Sequence, residues 1–592
     1  MINAILRLAL ENRVLVVVAV IGLAIGGYFS FQRLAVDAFP DATPTMVQIF
    51  TSSEGLSPED VETLISYPIE ISMYGLPNLA KVQSTSIFGL SRVDVYFEDG
   101  TDIYFARRLV NERLAEARRE IPPGLGEPQL GPITTGLGRI LMYTMEGEGF
   151  SLMEKRTFQD WIVKPQLRTV PGVTGVLSIG GFEKQYQVRL DQNALLARDL
   201  TVADVRRALA ANNRNVGASF INRGGEEYII RGYGWVDSGE AGLDDIRDII
   251  VAEQGGNPVT VGDVAEVAHG AAIRRGAQIA NGEESAGGYV FKLIGTNTQQ
   301  VLVDVEKKIA DINQSLPDGL RIKPFYSQAE LTSKAIGTVQ SALLLGAVLV
   351  LFFLYLFLGN FRSTLIVVAS VPLSVLAAFI AMYFVGLSAN LMSLGGLAIA
   401  IGMMVDGSVV MLENVLRNLE ARQGGKDVPL LRIVGEAGRE VARPIVFATG
   451  IIIIVFLPLF TLQGVEGKLF TPMAYTISFG LLGALLLALT LVPVMVTLLF
   501  RKGAAQAEPG LVHWLKAGYR PLRDGAMRWP AAVLGGAVLL FAGSLLLFPL
   551  LGSEFVPTLR EGTFQVRSTL PPGASLDSAI QYGKRIQSVL RE

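Results

Sequence analysis

The 592-residue sequence contains no cysteine and only 2 histidines, and few of its residues are charged. The absence of cysteine excludes disulfides, thiolate zinc sites and cysteine nucleophiles, and two well-separated histidines cannot by themselves build a histidine-rich metal site. Charged residues make up 18% of the chain, with 51 Lys and Arg against 54 Asp and Glu, a balance that argues against nucleic acid as the main partner. The chain is instead 50% hydrophobic with positive mean hydropathy, which indicates a membrane protein.

Seven apolar runs are long enough to cross the hydrocarbon core of a bilayer, which takes about 20 helical residues. The first is followed by Gln32-Arg33-Leu34 rather than by a small-residue cleavage site, so we interpret it as a retained anchor and not as a signal peptide. The sequence therefore predicts an α-helical polytopic membrane protein. Its expected spans are residues 13–32, 336–358, 364–385, 390–412, 444–461, 474–500 and 530–550.

The loops that join these spans are alternately rich and poor in basic residues. Arg362 follows the second span, and basic residues are concentrated between spans 4 and 5 and between spans 6 and 7. The loops at 386–389 and 462–473 contain a single basic residue, Lys468. Because short cytoplasmic loops are enriched in Lys and Arg, the pattern predicts a cytoplasmic N-terminus and an external location for the long segment after span 1.

That segment, residues 33–335, has the character of soluble sequence. Helix starts are indicated by Ser57-Pro58-Glu59-Asp60, by Thr201-Val202-Ala203-Asp204 and by Leu243-Asp244-Asp245. Strand-like runs alternate with the helices at Met46–Thr51, Val93–Phe97, Gln185–Leu190, Glu227–Arg231 and Tyr289–Ile294. This alternation predicts two or three small α/β sandwiches in series.

An internal repeat follows spans 1 and 7. Val36-Asp37-Ala38-Phe39-Pro40-Asp41 precedes a strand, Gly55-Leu56-Ser57 and a helix. Ser553-Glu554-Phe555-Val556-Pro557 precedes a strand at 562–567, Gly573-Ala574-Ser575 and a second helix. Duplicated halves are common in transporters, so we expect this chain to be about half of a protein whose second external domain begins near residue 551.

The fourth span contains the ionisable residues that are the main functional candidates. An acid inside a span costs about 2.5–3.5 kcal/mol or more, so it persists where protein or water surrounds it and usually where it has a task. Asp406 is such an acid, and Glu413 lies seven residues later on the same helical face. Low-dielectric surroundings favour the neutral form of a carboxyl group, as proton binding and release require. The alternatives are a structural cap or paired charge at Asp406 and a solvated helix end at Glu413. Gly402 and Gly407 beside Asp406 are expected to permit close helix approach.

The candidate metal ligands are four methionines on the same span: Met392, Met403, Met404 and Met411. Thioethers can ligate soft monovalent metal ions, although methionine in an apolar helix more often serves packing. His269, beside Glu266, is more often a surface residue than a ligand. The sequence contains no Walker motif, so ATP is not expected to supply energy and no cofactor is expected.

Together these segments resemble the resistance-nodulation-division superfamily of proton-driven exporters. Val36-Asp37-Ala38-Phe39-Pro40-Asp41-Ala42-Thr43 is similar to the heavy-metal-efflux branch, as is the run from Val405 to Asn414 in span 4. The drug-exporting branch typically carries two adjacent acids in span 4, whereas Gly407 follows Asp406 here. The resemblance implies a secondary active transporter rather than an enzyme: a proton/heavy-metal antiporter in which Asp406 is the relay aspartate and Glu413 accompanies it.

The resemblance also implies partners and a domain layout. We expect a homotrimer in the inner membrane of a Gram-negative cell, working with a periplasmic adaptor protein and an outer-membrane channel. Span 1 and its cytoplasmic N-terminus would occupy 1–32, and periplasmic pore subdomains 33–335, with a docking subdomain at about 180–275. Spans 2 to 6 would occupy 336–500, followed by a cytoplasmic loop at 501–529, span 7 at 530–550 and the start of a second periplasmic domain at 551–592. The family's cationic partner for the relay aspartate would lie beyond Glu592.

Two features give opposite indications about the metal. Divalent-metal members often carry Asp-Phe-Gly where this chain has Ala400-Ile401-Gly402, which is closer to the copper/silver type. Copper/silver members place a metal-binding methionine early in the second external domain, where Arg567 falls here. We therefore predict that the substrate is a heavy-metal cation, with a slight preference for a divalent one. An exporter of amphiphilic drugs or other organic molecules, and an assembly or sensor protein on the same scaffold, are the alternatives.

Overall fold

The computed structural model describes residues 2–37, 40–53, 55–422, 429–500, 510–552, 565–571 and 573–591. The chain begins with a short amphipathic helix, α1 (Ile2–Glu11), and continues into an apolar helix, α2 (Arg13–Arg33), which contains the first predicted span. Three soluble α/β units with separate cores follow before the chain enters a bundle of long apolar helices.

Unit I is an antiparallel sheet covered on one face by helices. Its four strands pair in the order β2 (Leu79–Ile87), β3 (Leu90–Phe97), β1 (Met46–Ser52) and β4 (Gln129–Leu130). Ser57 caps its first helix as predicted, since the Ser57 Oγ accepts a hydrogen bond from the Asp60 N–H at 3.2 Å. Alternate residues of β3, Val93 and Val95 among them, are fully buried under these helices. Its elements are β1 (Met46–Ser52), α3 (Pro58–Val61), α4 (Tyr67–Met73), β2 (Leu79–Ile87), β3 (Leu90–Phe97), α5 (Ile103–Glu120) and β4 (Gln129–Leu130).

Unit II begins next and is interrupted by the whole of unit III. Its first part contains β5 (Arg139–Glu146), α6 (Leu152–Phe158), α7 (Lys164–Leu167) and β6 (Val173–Gly180).

Unit III consists of three two-stranded antiparallel pairs and four helices. Thr201 and Asp204 form a capping box at the start of the helix Val202–Asn212, where the sequence predicts a helix to begin. The helix predicted to begin at Leu243 starts instead at Glu240, because Gly239, with φ of 71°, makes the turn into it. The elements are β7 (Lys184–Leu190), α8 (Gln192–Ala197), α9 (Val202–Asn212), β8 (Val216–Arg223), β9 (Glu226–Gly232), α10 (Glu240–Arg247), β10 (Ile250–Gln254), β11 (Asn257–Thr260), α11 (Val261–Val264) and β12 (Ala265–Ala271).

Unit II is completed by β13 (Gln278–Ala280), β14 (Glu283–Lys292), α12 (Thr298–Ser315) and β15 (Arg321–Ser327). Its five strands pair in the order β13-β14-β5-β15, with β6 also on β14, and all the pairs are antiparallel. The strand predicted at Tyr289–Ile294 is the end of β14, which stops at Lys292. The prediction of two or three α/β sandwiches therefore agrees with three soluble units.

Units I and II share an unusual helix. In each, the helix after the first strand contains one π-helical turn, at Glu62–Ser66 in unit I and Gln159–Val163 in unit II. The turn places a fully buried polar residue in each core. Ser66 bonds to the hydroxyls of Ser86 and Ser91, both at 2.7 Å, and Gln159 accepts a hydrogen bond from the Tyr143 hydroxyl at 3.0 Å. Both cores thus fulfil the hydrogen-bonding needs of a buried polar group locally.

Seven further long helices follow: α13 (Gln328–Leu358), α14 (Phe361–Val385), α15 (Leu391–Arg422), α16 (Leu430–Phe456), α17 (Gly464–Leu499), α18 (Gly510–Arg528) and α19 (Pro530–Leu547). Among the described residues, six helices are long and apolar enough to cross a membrane: α2, α14, α15, α16, α17 and α19. The predicted span 336–358 lies in α13, where the side chains at 338–340 and 342–343 are outside the described set and Leu344–Leu358 is an apolar stretch. The chain is a multi-pass helical membrane protein with a soluble α/β region.

Three helices extend well beyond their predicted spans. The spans predicted at 390–412 and 474–500 coincide with parts of α15 and α17 to within one residue at one end, and each helix continues beyond the other end. The span predicted at 444–461 comprises the second half of α16, which ends at Phe456, and a 3-10 turn at Leu457–Thr461. The extension of α16 packs against α1, where Leu6 Cδ2 lies 2.9 Å from the position that a Cβ at Gly438 would occupy. Glycine likewise lets α2 approach α14, since a Cβ at Gly27 would lie 2.6 Å from Leu376 Cβ.

The last helix is α20 (Leu576–Arg591), which follows Gly573-Ala574-Ser575 as the repeat predicts. The Ser575 Oγ accepts a hydrogen bond from the Ser578 N–H at 3.2 Å at its start. Gln587 donates to the carbonyl of Ile279 at 3.1 Å and accepts a hydrogen bond from the Gly282 N–H at 2.8 Å, so α20 packs on β13 and on the turn that follows it. Ser553–Pro557 and 562–564 lie outside the described residues, and residues 565–567 of the strand predicted there form no strand.

Candidate functional site

Helix α15 carries all the candidate residues, and its start is fixed by a side-chain cap. Asn390 Oδ1 accepts hydrogen bonds from the N–H groups of Met392 at 3.0 Å and Ser393 at 2.9 Å. From there α15 is continuous to Arg422. One side of the helix is buried against α14, α16 and α17, with residues at helical spacing: Leu397, Ala400, Met404, Ser408, Met411 and Val415.

The opposite side of α15 is exposed over several turns, and we call it the open stripe. It comprises Ile399 (50% exposed), Gly402, Asp406, Val410 (45% exposed) and Glu413. Asp406 and Glu413 therefore share one face, as their seven-residue separation predicts. A carboxylate on an apolar membrane-spanning helix is costly unless protein or water covers it.

Neither carboxylate is paired within the described part of the chain. Among those residues, the side chains of Asp406 and Glu413 make no hydrogen bond or ion pair. The two flanking glycines differ: no described atom lies within 4 Å of a Cβ built at Gly402, whereas one at Gly407 would lie 3.1 Å from Ile445 Cγ2. Close helix approach is thus found at Gly407, and the expectation for Gly402 is not met by any described helix.

A polar cluster beside Glu413 joins α15 to α16 and was not identified from the sequence. Asn414, 7% exposed, donates to the Ala437 carbonyl at 2.9 Å and to Glu440 Oε2 at 3.1 Å. Arg417 donates to Asn414 Oδ1 at 2.9 Å. The only sequence signal for this cluster is an amide residue directly after Glu413, at the end of an apolar run. The cluster holds the Glu413 end of α15 against a fixed neighbour.

The candidate methionines face different neighbours. Met404 is 2% exposed with its terminal methyl against Gly480 of α17, and Met411 is fully buried with its sulfur 3.6 Å from a Cβ position at Gly438 of α16. Met392 and Met403 are half-buried. His269 lies in β12, its ring centroid 5.0 Å from that of Tyr186. The described residues contain no group of three or more His, Cys, Asp or Glu placed to hold a metal ion.

The chain is similar to a known family and to known proteins over nearly its whole length. The model of the AcrB/AcrD/AcrF family matches residues 5–592. The chain is 44% identical over 605 residues to the cobalt-zinc-cadmium resistance protein CzcA of Cupriavidus metallidurans, covering 100% of this chain and 56% of that protein. It is 37% identical over 592 residues to the cation efflux system protein CusA of Escherichia coli, covering 98% and 56%.

A solved structure shows the same fold. The crystal structure of a heavy metal efflux pump superposes with a TM-score of 0.84 at 32% identity, covering 99% of this chain and 56% of that one. The chain therefore spans a little over half the length of the curated relatives and of the solved structure it matches.

Proposed function

The chain belongs to the AcrB/AcrD/AcrF family and to its heavy-metal-efflux branch, and from this premise we propose that the whole protein is a proton-driven heavy-metal cation efflux pump. The observation that carries the proposal is the open stripe, on which an unpaired carboxylate, Asp406, lies in an otherwise apolar part of a membrane-spanning helix. Such a carboxylate is suited to bind and release protons. Metal cations are the substrate and protons the coupling ion.

The two acids have different roles in this proposal. Asp406 is the proton-relay group. Glu413 is the next charged residue along the open stripe, and it exchanges protons with water beside the polar cluster around Asn414. The open stripe would be covered in the whole protein, and we propose that a basic side chain outside the described residues faces Asp406. Protonation of Asp406 would then weaken that pair and change how the covering helix packs.

Unit III supports the proposal of a homotrimer. Strands β8 and β9 form a two-stranded arm on which every residue is exposed, including Phe220 (53%) and Ile229 (73%). An isolated hairpin with apolar side chains on both faces is marginally stable in water, so it needs a partner. We propose that the arm packs on a neighbouring copy.

Unit III lies within the docking subdomain proposed at about 180–275. It would face the periplasmic adaptor and the outer-membrane channel, and units I and II would form the pore subdomains.

The layout in the membrane follows from the same premise. We propose that the protein lies in the bacterial inner membrane with α1 and α18 on the cytoplasmic side and units I to III in the periplasm. The basic residues between α15 and α16 and in α18 support this orientation, because cytoplasmic loops are enriched in Lys and Arg.

Divalent cations are the preferred substrates. The relative at 44% identity is named for cobalt, zinc and cadmium resistance, and the nickel and cobalt resistance protein CnrA of Cupriavidus metallidurans is 37% identical over 98% of this chain. Two of the four candidate methionines, Met404 and Met411, make packing contacts with glycines of other helices, which favours packing over ligation for those two.

Transport by the full-length protein tests the proposal directly. In inverted membrane vesicles with an imposed proton gradient, we expect gradient-driven movement of Zn²⁺, Co²⁺ or Cd²⁺ that a protonophore abolishes. The same vesicles would be tested with Cu⁺, Ag⁺ and an amphiphilic cationic dye. Absence of any metal movement would contradict the proposal, and movement of the dye alone would favour the alternative of an exporter of organic molecules.

The methionines provide a separate prediction about selectivity. Replacing Met392, Met403, Met404 and Met411 with Leu in the full-length protein should leave divalent-metal resistance unchanged if they serve packing. Such volume-conserving changes usually cost less than about 1.5 kcal/mol each, so the protein should still fold. Growth of cells on copper or silver is the second measurement. A selective loss of monovalent-metal resistance, with divalent resistance intact, would show instead that the methionines form a soft-metal path.

A further inference from the structure

An ion pair between a buried lysine and a partly buried aspartate connects the segment after α2 to unit II. The Lys292 Nζ lies 3.0 Å from Asp37 Oδ1 and also donates to the Thr298 hydroxyl at 2.6 Å and to the Thr296 carbonyl at 3.1 Å. The Thr298 hydroxyl in turn donates to Asp37. Lys292 is 8% exposed and Thr298 is 1% exposed, so the ammonium group has all three of its donors satisfied away from water.

Asp37 is also attached to the loop that precedes α15. Its backbone N–H donates to the Ala389 carbonyl at 3.2 Å, and the Ala389 N–H donates to the Ala35 carbonyl at 2.8 Å. The next residue is Asn390, the cap of α15. The helix that carries Asp406 is therefore joined to unit II through two contacts in succession, a backbone bridge at Ala389 and the Asp37–Lys292 pair.

Lys292 and Thr298 lie where unit II can respond to such a contact. Lys292 is the last residue of β14, the central strand that pairs with β5, β6 and β13. Thr298 is the first residue of α12, which covers the same sheet. Asp37 thus contacts both the end of one strand and the start of one helix of unit II.

We propose that Asp37 and Lys292 are positioning residues that transmit the movement of α15 to unit II during transport; this rests on the proposed function. A change in the charge of Asp406 shifts α15 along or about its axis, and Asn390 and Ala389 move with the helix end. The backbone bridge moves Asp37, and the pair moves β14 with α12. Separating the two residues would leave a buried charge without its partner, which is costly. The pair is therefore expected to stay intact and to move as a unit when α15 moves.

The test uses the full-length protein in vesicles, with metal movement and metal-independent proton influx measured on the same preparations. For Asp37→Asn and for Lys292→Met we expect metal movement to fall about tenfold while proton influx through Asp406 persists. The ratio of proton influx to metal movement therefore rises. A charge exchange, Asp37→Lys with Lys292→Asp, should restore part of the metal movement.

Asp41→Asn is the matched control, because Asp41 lies in the same segment but is exposed and only accepts a hydrogen bond from the Thr43 N–H. Its metal movement should equal that of the wild type. Wild-type metal movement in Asp37→Asn and Lys292→Met would overturn the inference, as would an equal loss of both fluxes, which is the signature of a purely structural pair. Absence of metal movement in the wild type would contradict the proposed function instead.

Discussion

Replacing Asp406 with Asn in the full-length protein should abolish proton-driven metal export while leaving expression and assembly near normal. Asn keeps the volume and hydrogen-bonding reach of Asp but cannot bind and release a proton. In the described part of the chain the Asp406 side chain makes no hydrogen bond or ion pair, so the substitution removes no side-chain contact there on which folding depends. Each proton that enters supplies about 2.3 kcal/mol per 100 mV of membrane potential, which the variant can no longer use.

Metal movement in reconstituted vesicles is the measurement for Asp406→Asn. Glu420→Gln is a suitable control, because Glu420 is an exposed acid on the same helix, beyond the predicted span. It should export at the wild-type rate. Glu413→Gln should lie between the two, since Glu413 is nearer to water and adjoins the cluster that holds α15 to α16. Proton-coupled export that persists in Asp406→Asn would contradict the relay assignment.

The apolar spans could be predicted from the sequence, whereas the full helices could not. A run of apolar residues identifies the part of a helix that lies in hydrocarbon, but backbone hydrogen bonding continues for as long as neighbouring residues remain compatible with a helix. The amphipathic first half of α16 shows this, because Leu430 begins the helix 14 residues before the predicted span at 444. Part of its burial comes from α1, which the apolar pattern did not identify as a helix.

The functional site was predictable only in part for a similar reason. Asp406 is conspicuous as a single acid inside an apolar run, and its face shared with Glu413 follows from helical spacing. The Asp37–Lys292 pair joins residues 255 positions apart, and each alone resembles an ordinary charged residue. The pairing follows from the position of β14 in the sheet of unit II, which no local pattern contains.

Glycine positions illustrate the same limit and lead to the second large effect. The sequence shows many glycines in the membrane helices, but only the packing shows which of them contact a neighbour. A Cβ at Gly396 would lie 2.7 Å from the Met473 carbonyl oxygen of α17 and against the Thr476 hydroxyl. At the adjacent Gly395 no described atom lies within 4 Å of such a Cβ.

Gly396→Ala should therefore destabilise the full-length protein strongly, and Gly395→Ala should not. The obstacle at Gly396 is backbone, which cannot rotate away as a side chain can, so α15 and α17 must separate. Overpacking of this kind costs about 1–3 kcal/mol, and Gly396→Leu should prevent recovery of folded protein. At Gly395 the gain in helix propensity of Ala over Gly, about 1 kcal/mol, is unopposed, so the midpoint of thermal unfolding in detergent should rise or stay constant. A lower midpoint for Gly396→Ala without a lower midpoint for Gly395→Ala would show that α15 and α17 pack through Gly396. Equal shifts of the same sign would show that they do not.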